Sequence, residues 1–312
     1  MVTKKTDFSF KSSNGLNTVR GIKITPADGS CKAVLQISHG MVEHYDRYTD
    51  FMEFMAEQGF AVYMNDHIGH KHSVDNDDQL GFFAHKDGHI HILNDLVTTA
   101  KMAKTDYPDA KLFLLGHSMG SFYARVFAAE HSHLLDGVII SGTGGPNKAA
   151  VRGKMAILAM MKLKGEMYRS KDIVKMMFGK YLDKIEKPNT ASDWITRDEE
   201  IVAKYCMDKY CQFTFTLAGF RDLMDILIWA NDKKTYEKTP DNLPVLVFSG
   251  SMDPVGDYGV GIMQVVDGYK SAGCMDLELK LYDGGRHEML NEINRGEVYA
   301  DVLEWLCKKA EG

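Results

Sequence analysis

The run Lys-Leu-Phe-Leu-Leu at 111–115 constrains this chain more than any other feature. After its leading lysine it is continuously apolar, and it is too short for an ordinary helix. That marks a strand buried on both faces of a parallel sheet. Gly-Val-Ile-Ile-Ser at 137–141 has the same character, and β-rich stretches at 33–38, 61–64, 245–249 and 277–282 fall into the same rhythm. Residues 18–25 alternate apolar and polar positions, as an edge strand would. Helical patterns lie between these stretches. Tyr48, Phe51, Met52, Met55 and Ala56 recur at helical spacing, and Gly59 follows as a stop. A polar loop runs over 67–88, after which Ile90, Leu93, Leu96, Val97 and Ala100 mark a second helix. Residues 260–271 and 295–309 form two more. Strands alternating with helices of this length predict an α/β fold, a mostly parallel central sheet flanked by helices.

The rhythm breaks between about Gly144 and Pro240. No short β-rich run bounded by turns occurs there. The composition is helical and dense in methionine, including Met155, Met160, Met161, Met176, Met177 and Met224. Methionine fills ordinary cores, and it also suits surfaces that accept varied apolar shapes. The reading is a helical insertion above the sheet, dividing the chain into a core at 1–143, a cap at 144–240 and a returning core at 241–312.

Chemistry concentrates where strands end. Gly116-His117-Ser118-Met119-Gly120 is a G-x-S-x-G pentapeptide placed directly between a buried strand and a helix. That context is the test for a nucleophile elbow, in which a sharp strained turn exposes the serine. A serine needs a base, and the base an orienting acid, in the chain order Ser, Asp or Glu, His. Asp253 follows the strand at 245–249, and His287 follows the strand at 277–282. Asp283 shares the loop of His287, and Asp257 is expected to begin a helix, so both are weaker acids for this role. An oxyanion needs preorganised donors. The N–H of Met119, next to the nucleophile, and the N–H of Met41, in the loop after the strand at 33–38, are the candidates.

Several classes are excluded or disfavoured. A net charge of −6 gives no basic stripe for nucleic acid. The five cysteines, Cys31, Cys206, Cys211, Cys274 and Cys307, contain no C-x-x-C pair and read as free thiols of a reducing cytosol. No stretch approaches the ~20 apolar residues of a membrane span. The N-terminus lacks the apolar segment of a signal peptide, so a cytoplasmic protein is expected. His67, His70 and His72, with His85, His89 and His91, tempt a zinc reading, but no H-E-x-x-H or H-x-H-x-D-H pattern is present. They are read as hydrogen-bonding loop histidines, and no metal or cofactor is expected.

With these residues assembled, the chain resembles the monoacylglycerol lipase and lysophospholipase branch of the α/β-hydrolases, also called serine aminopeptidase-like. The likeness rests on residues 39–48, similar to H-G-x-x-E-H-x-x-R-Y, and residues 66–73, similar to D-x-x-G-H-G-x-S. The elbow at Ser118, the acid loop at 250–254 and the segment 285–292 complete it. Met41-Val42 is bulkier than the small pair common at that place, and Lys71 replaces the second glycine of D-x-x-G-H-G. The resemblance implies an α/β-hydrolase fold with a helical cap after the sixth strand. It implies that Glu43 and Arg47 bind substrate near the polar end of an acyl pocket. It also implies a cofactor-free Ser118–His287–Asp253 serine hydrolase of carboxylic esters, most simply a monoacylglycerol or lysophospholipid. A short-chain or aryl esterase, a peptidase, and a non-catalytic binding protein remain alternatives. The expected partner is a small acyl ester or lipid, with transient contact of the cap with a lipid surface. The oligomeric state is left open.

Overall fold

The computed structural model describes residues 2–311. Eight strands form one sheet in the order β1-β2-β4-β3-β5-β6-β7-β8. These are β1 (Thr3–Lys11), β2 (Thr18–Pro26), β3 (Val34–Ser38), β4 (Ala61–Asn65), β5 (Leu112–His117), β6 (Gly137–Ser141), β7 (Val245–Gly250) and β8 (Leu277–Tyr282). From β4 through β8 all pairings are parallel, while β1–β2 and β2–β4 are antiparallel. Every residue of β3 through β7 is buried, as continuous apolar runs require of strands covered on both faces.

Helices cover both faces. On one lie α1 (Thr49–Glu57) and α10 (Arg295–Glu311), packing Phe51, Met55, Val302 and Trp305 into one core. On the other lie α2 (Gly88–Asp106), α3 (Met119–Glu130) and α9 (Val260–Ser271), packing Leu96, Phe127 and Val265 into a second. One expectation is corrected. Residues 18–25 are not an edge, because β1 pairs with β2 from Thr3↔Pro26 to Lys11↔Thr18 and takes the edge itself. β1 escapes a pattern-based reading because most of its residues, Lys4, Lys5 and Lys11 among them, stay in solvent.

Between β6 and β7 the chain forms α4 (Lys148–Lys164), α5 (Lys171–Phe178), α6 (Glu199–Met207), α7 (Leu217–Ala230) and α8 (Lys233–Lys238). Side-chain caps mark their starts. Ser170 accepts from the N–H of Ile173, Asp198 from those of Glu200 and Ile201, and Thr216 from that of Gly219. α7 lies on α3 and carries Phe220, Leu223 and Met224 into the core. The expected Met-rich inner face is only partly present. Met177 and Met224 line an inner cavity, whereas Met155, Met176 and Met207 face solvent.

One buried cation secures the insertion at its root. The guanidinium of Arg125, on α3, donates to Thr143 Oγ1 at 3.3 Å and to the carbonyl of Gly144 at 3.2 Å, where the chain leaves β6. It also donates to the carbonyl of Ala230 at 2.7 Å, to Asn231 Oδ1 at 2.9 Å and to the hydroxyl of Tyr236, where the chain returns. Arg125 is fully buried, and each of these acceptors is uncharged.

Candidate active site

β5 ends at His117 and α3 begins at Met119, so Ser118 occupies the junction with φ 53° and ψ −119°. A non-glycine residue is strained there and persists only where its surroundings hold it. Ser118 N–H donates to the carbonyl of Ser141 at 2.9 Å, and the Ser118 carbonyl accepts from the N–H of Ser121 at 2.9 Å. The flanking glycines are steric necessities. A Cβ on Gly120 would lie 2.0 Å from the Ser38 carbonyl oxygen, and one on Gly116 2.3 Å from that of Gly120. Among the described residues the Ser118 Oγ makes no hydrogen bond, and Ser118 lines a 340 Å³ cavity that His287 also lines.

His287 is held from behind. Its Nδ1 lies 2.9 and 3.0 Å from the two carboxylate oxygens of Asp253, which is fully buried. Asp253 also accepts from Ser249 Oγ at 3.1 Å and from the N–H of Val255 at 2.9 Å. Burial favours the neutral imidazole, but the charge and hydrogen bond of Asp253 outweigh it and raise the His287 pKa above its ordinary value. Trp194, from the insertion, lies with its ring 5.0 Å from that of His287 on one side, and His117 lies at 4.7 Å. Burial and the neighbouring His287 push the His117 pKa down to about 3. Of the rival acids, Asp283 meets Ser251 at 3.4 Å and makes no bond to His287. Asp257 is in a turn with φ 48°, ahead of α9 rather than within it.

The loop after β3 runs beside Ser118. A Cβ on Gly40 would lie 2.9 Å from Ser118 Cβ, which only a glycine permits. The N–H of Met41 has no acceptor among the described residues, and that of Met119 sits in the first turn of α3, where no intrahelical acceptor exists. Three buried histidines underlie this loop. His39 Nε2 accepts from the N–H of His67 at 2.9 Å, and His70 Nε2 from that of Val42 at 3.4 Å. Burial pushes the pKa of His67 down to about 4, that of His70 to about 3, and that of His39 well below the usual imidazole range.

Glu43 and Arg47 differ from the substrate-facing pair that the resemblance implies. Glu43 is buried and accepts from the N–H of Gly40 at 2.5 Å, from Tyr48 Oη at 2.9 Å and from Arg47 at 2.9 Å. Arg47 forms a bidentate pair with Glu288 at 2.7 and 2.6 Å and stacks on Tyr205 at 4.8 Å. Glu43 and Glu288 line the cavity, but Arg47 does not. Burying two carboxylates around one guanidinium is tolerable only when all three are paired, as here.

Three further histidines are paired. His72 meets Asp66 at 2.7 Å, His85 meets Glu166 at 2.6 Å, and His91 meets Ser13 at 2.9 Å. Two clusters of ligand-type side chains, His44-Asp208-Cys211 and His89-Asp222-Asp225, each lie against a lysine or arginine side chain. Lys71 lies 3.5 Å from His44, and Arg221 is 3.1 Å from Asp222.

The structure therefore brings Ser118, His287, Asp253, Met41 and Met119 to one end of the sheet. Reasoning from the sequence missed Trp194, Tyr205 and Glu288. The first two lie in the insertion, where no motif marks them. Glu288 adjoins His287, and its pairing with Arg47 spans 241 positions.

A strained residue at this junction, on a sheet of this order, defines an α/β-hydrolase. The chain belongs to the serine aminopeptidase, S33 family, whose model matches residues 29–294. It is 28% identical over 306 residues to the monoacylglycerol lipase of Mycolicibacterium smegmatis, covering 96% of this chain and 98% of that one. It is 26% identical over 287 residues to the human monoglyceride lipase, covering 90% and 84%. Among solved structures, a thermostable carboxyl esterase from Bacillus coagulans in complex with glycerol superposes with a TM-score of 0.92 at 29% identity, covering 98% and 99%.

Proposed function

We propose that the protein hydrolyses carboxylic esters of the monoacylglycerol type through an acyl-enzyme on Ser118. Ser118 Oγ attacks the ester carbonyl while His287 Nε2 takes its proton. The N–H groups of Met41 and Met119 receive the charge that develops on the carbonyl oxygen. His287 then protonates the leaving alcohol, and water repeats the sequence to release the acid. Asp253 holds the imidazole in the tautomer whose Nε2 is free, and favours the imidazolium as it forms. Residues 144–240 act as the cap, and they supply Met177, Phe178, Trp194 and Leu227 to an apolar wall suited to an acyl chain. Glu43, Arg47 and Glu288 position the loops on either side of Ser118, with substrate contact left to the carboxylates.

The observation that carries this reading is the clamped His287 sharing a cavity with a serine in an elbow conformation. The nearby relatives named as lipases and an esterase support it. Both cavity carboxylates share the charge of Arg47, which favours a neutral ester there over the free amino terminus of a peptide. The test is Ser118→Ala. It should fold normally, lose labelling by a fluorophosphonate, and lose turnover of a medium-chain monoglyceride by roughly 10⁶-fold. Appreciable hydrolysis by the folded variant would end the serine-hydrolase reading.

A further inference from the structure

Val42 is the second oddity of this site. It has φ 57°, a region where a β-branched residue is strained. It is buried, it lines the cavity, and it immediately follows Met41. Such a conformation needs restraints from outside, and the structure contains two. From the core side, the Val42 N–H donates to His70 Nε2 at 3.4 Å. His70 is itself fixed, its Nδ1 lying 3.2 Å from the carbonyl of Ile68 and its ring set among Phe83, Phe213 and Phe215. With Nδ1 donating to that carbonyl, Nε2 is left as an acceptor. From the cap side, Tyr205 Oη on α6 donates to the Val42 carbonyl at 3.3 Å.

Tyr205 is in turn tied to the rest of the site. Arg47 lies over its ring at 4.8 Å, and Arg47 is locked to Glu43 and Glu288. Removal from water, opposed by Arg47, holds the phenol pKa well above its ordinary value, so the hydroxyl keeps its proton. Val42 is therefore gripped at both flanking peptide groups, at its N–H by a histidine of the core and at its carbonyl by a tyrosine of the cap. The Met41 N–H belongs to the peptide group just before the one His70 holds, and two before the one Tyr205 holds.

We propose that Tyr205 is a positioning residue that couples the seating of the cap to the aim of the Met41 N–H. This deepens the proposed function and rests on it, since it takes Met41 as an oxyanion donor. With α6 seated, both grips hold and Val42 stays at positive φ. With α6 withdrawn, the Val42 carbonyl loses its donor, the strained residue relaxes, and the Met41 N–H turns away. Turnover then requires α6 to be seated. The bulk of Met41-Val42 is what gives the coupling its force. A glycine at 42 would adopt the same φ with no strain to relieve.

The test is a double-mutant cycle on kcat with a medium-chain monoglyceride. Tyr205→Phe keeps the ring over Arg47 and deletes the hydroxyl. In the native background it should lower kcat about tenfold, with KM changed less than about twofold, since the effect falls on the transition state. In a Val42→Gly background the same change should cost no more than about twofold, because no strain remains for the hydroxyl to oppose. Equal losses in the two backgrounds would overturn the proposal, as would native kcat in Tyr205→Phe or a rise in KM alone, which would mark the hydroxyl as a substrate ligand. If Tyr205→Phe proves too unstable, His70→Gln tests the other grip in the same two backgrounds with the same expected asymmetry. Hydrolysis surviving in Ser118→Ala would instead overturn the reading beneath it.

Discussion

The charge on Asp253 is the largest favourable influence on the protonated form of His287, so its removal has a directional consequence. In its proposed role as general base His287 must be neutral, so its raised pKa should place the acid limb of kcat/KM above the unperturbed value of about 6.5. Activity should therefore fall as pH drops through that limb. In Asp253→Asn the opposing influence of burial remains, so the limb should move to lower pH. Turnover at neutral pH should drop by roughly 10⁴-fold, because the tautomer is no longer fixed. A pH–rate profile of the variant checks both; an unmoved limb would mean that another group sets it. The sequence made Ser118, Asp253 and His287 legible because each follows a strand with its own motif. It could not reveal Glu288 as the partner of Arg47, or Tyr205 as the partner of Val42. Those pairings depend on how distant segments stack.

At the scale of elements, the insertion in its proposed role as cap would set how much of a substrate is removed from water. Apolar side chains of α5 and α7 face the cavity, and each methylene moved into such surroundings is worth about 0.8 kcal/mol. kcat/KM should rise up to roughly fourfold per methylene along a series of monoglycerides, then level off once the cavity is filled. A flat series from acetate upward would place recognition elsewhere. The strands β3 to β7 were readable because burial on both faces leaves an unmistakable apolar run. β1 was not, because most of its residues meet water and its Lys4 and Lys5 mask any alternation. The helices of the insertion could be counted as helical but not divided. Their boundaries are set by local caps such as Ser170, Asp198 and Thr216.

For the molecule as a whole, the two apolar layers share one sheet, and α7 of the insertion packs on α3 of the core. Insertion and core should then unfold together. Calorimetry should show a single transition whose calorimetric and van't Hoff enthalpies agree. Two resolved transitions would show that residues 144–240 melt on their own. Arg125 adds a mechanical consequence. It fastens the outgoing chain at Thr143 and Gly144 to the returning chain at Ala230 and Asn231, so the base of the insertion behaves as a riveted joint. Any displacement of the insertion then has to bend the chain beyond that joint. α6 is fastened at both flanks as well, by Arg197 to Glu292 at 3.0 Å and Asp198 to Arg295 at 2.9 Å before it and by Asp208 to His44 at 2.8 Å after it, so a movement that frees Tyr205 must first break these pairs.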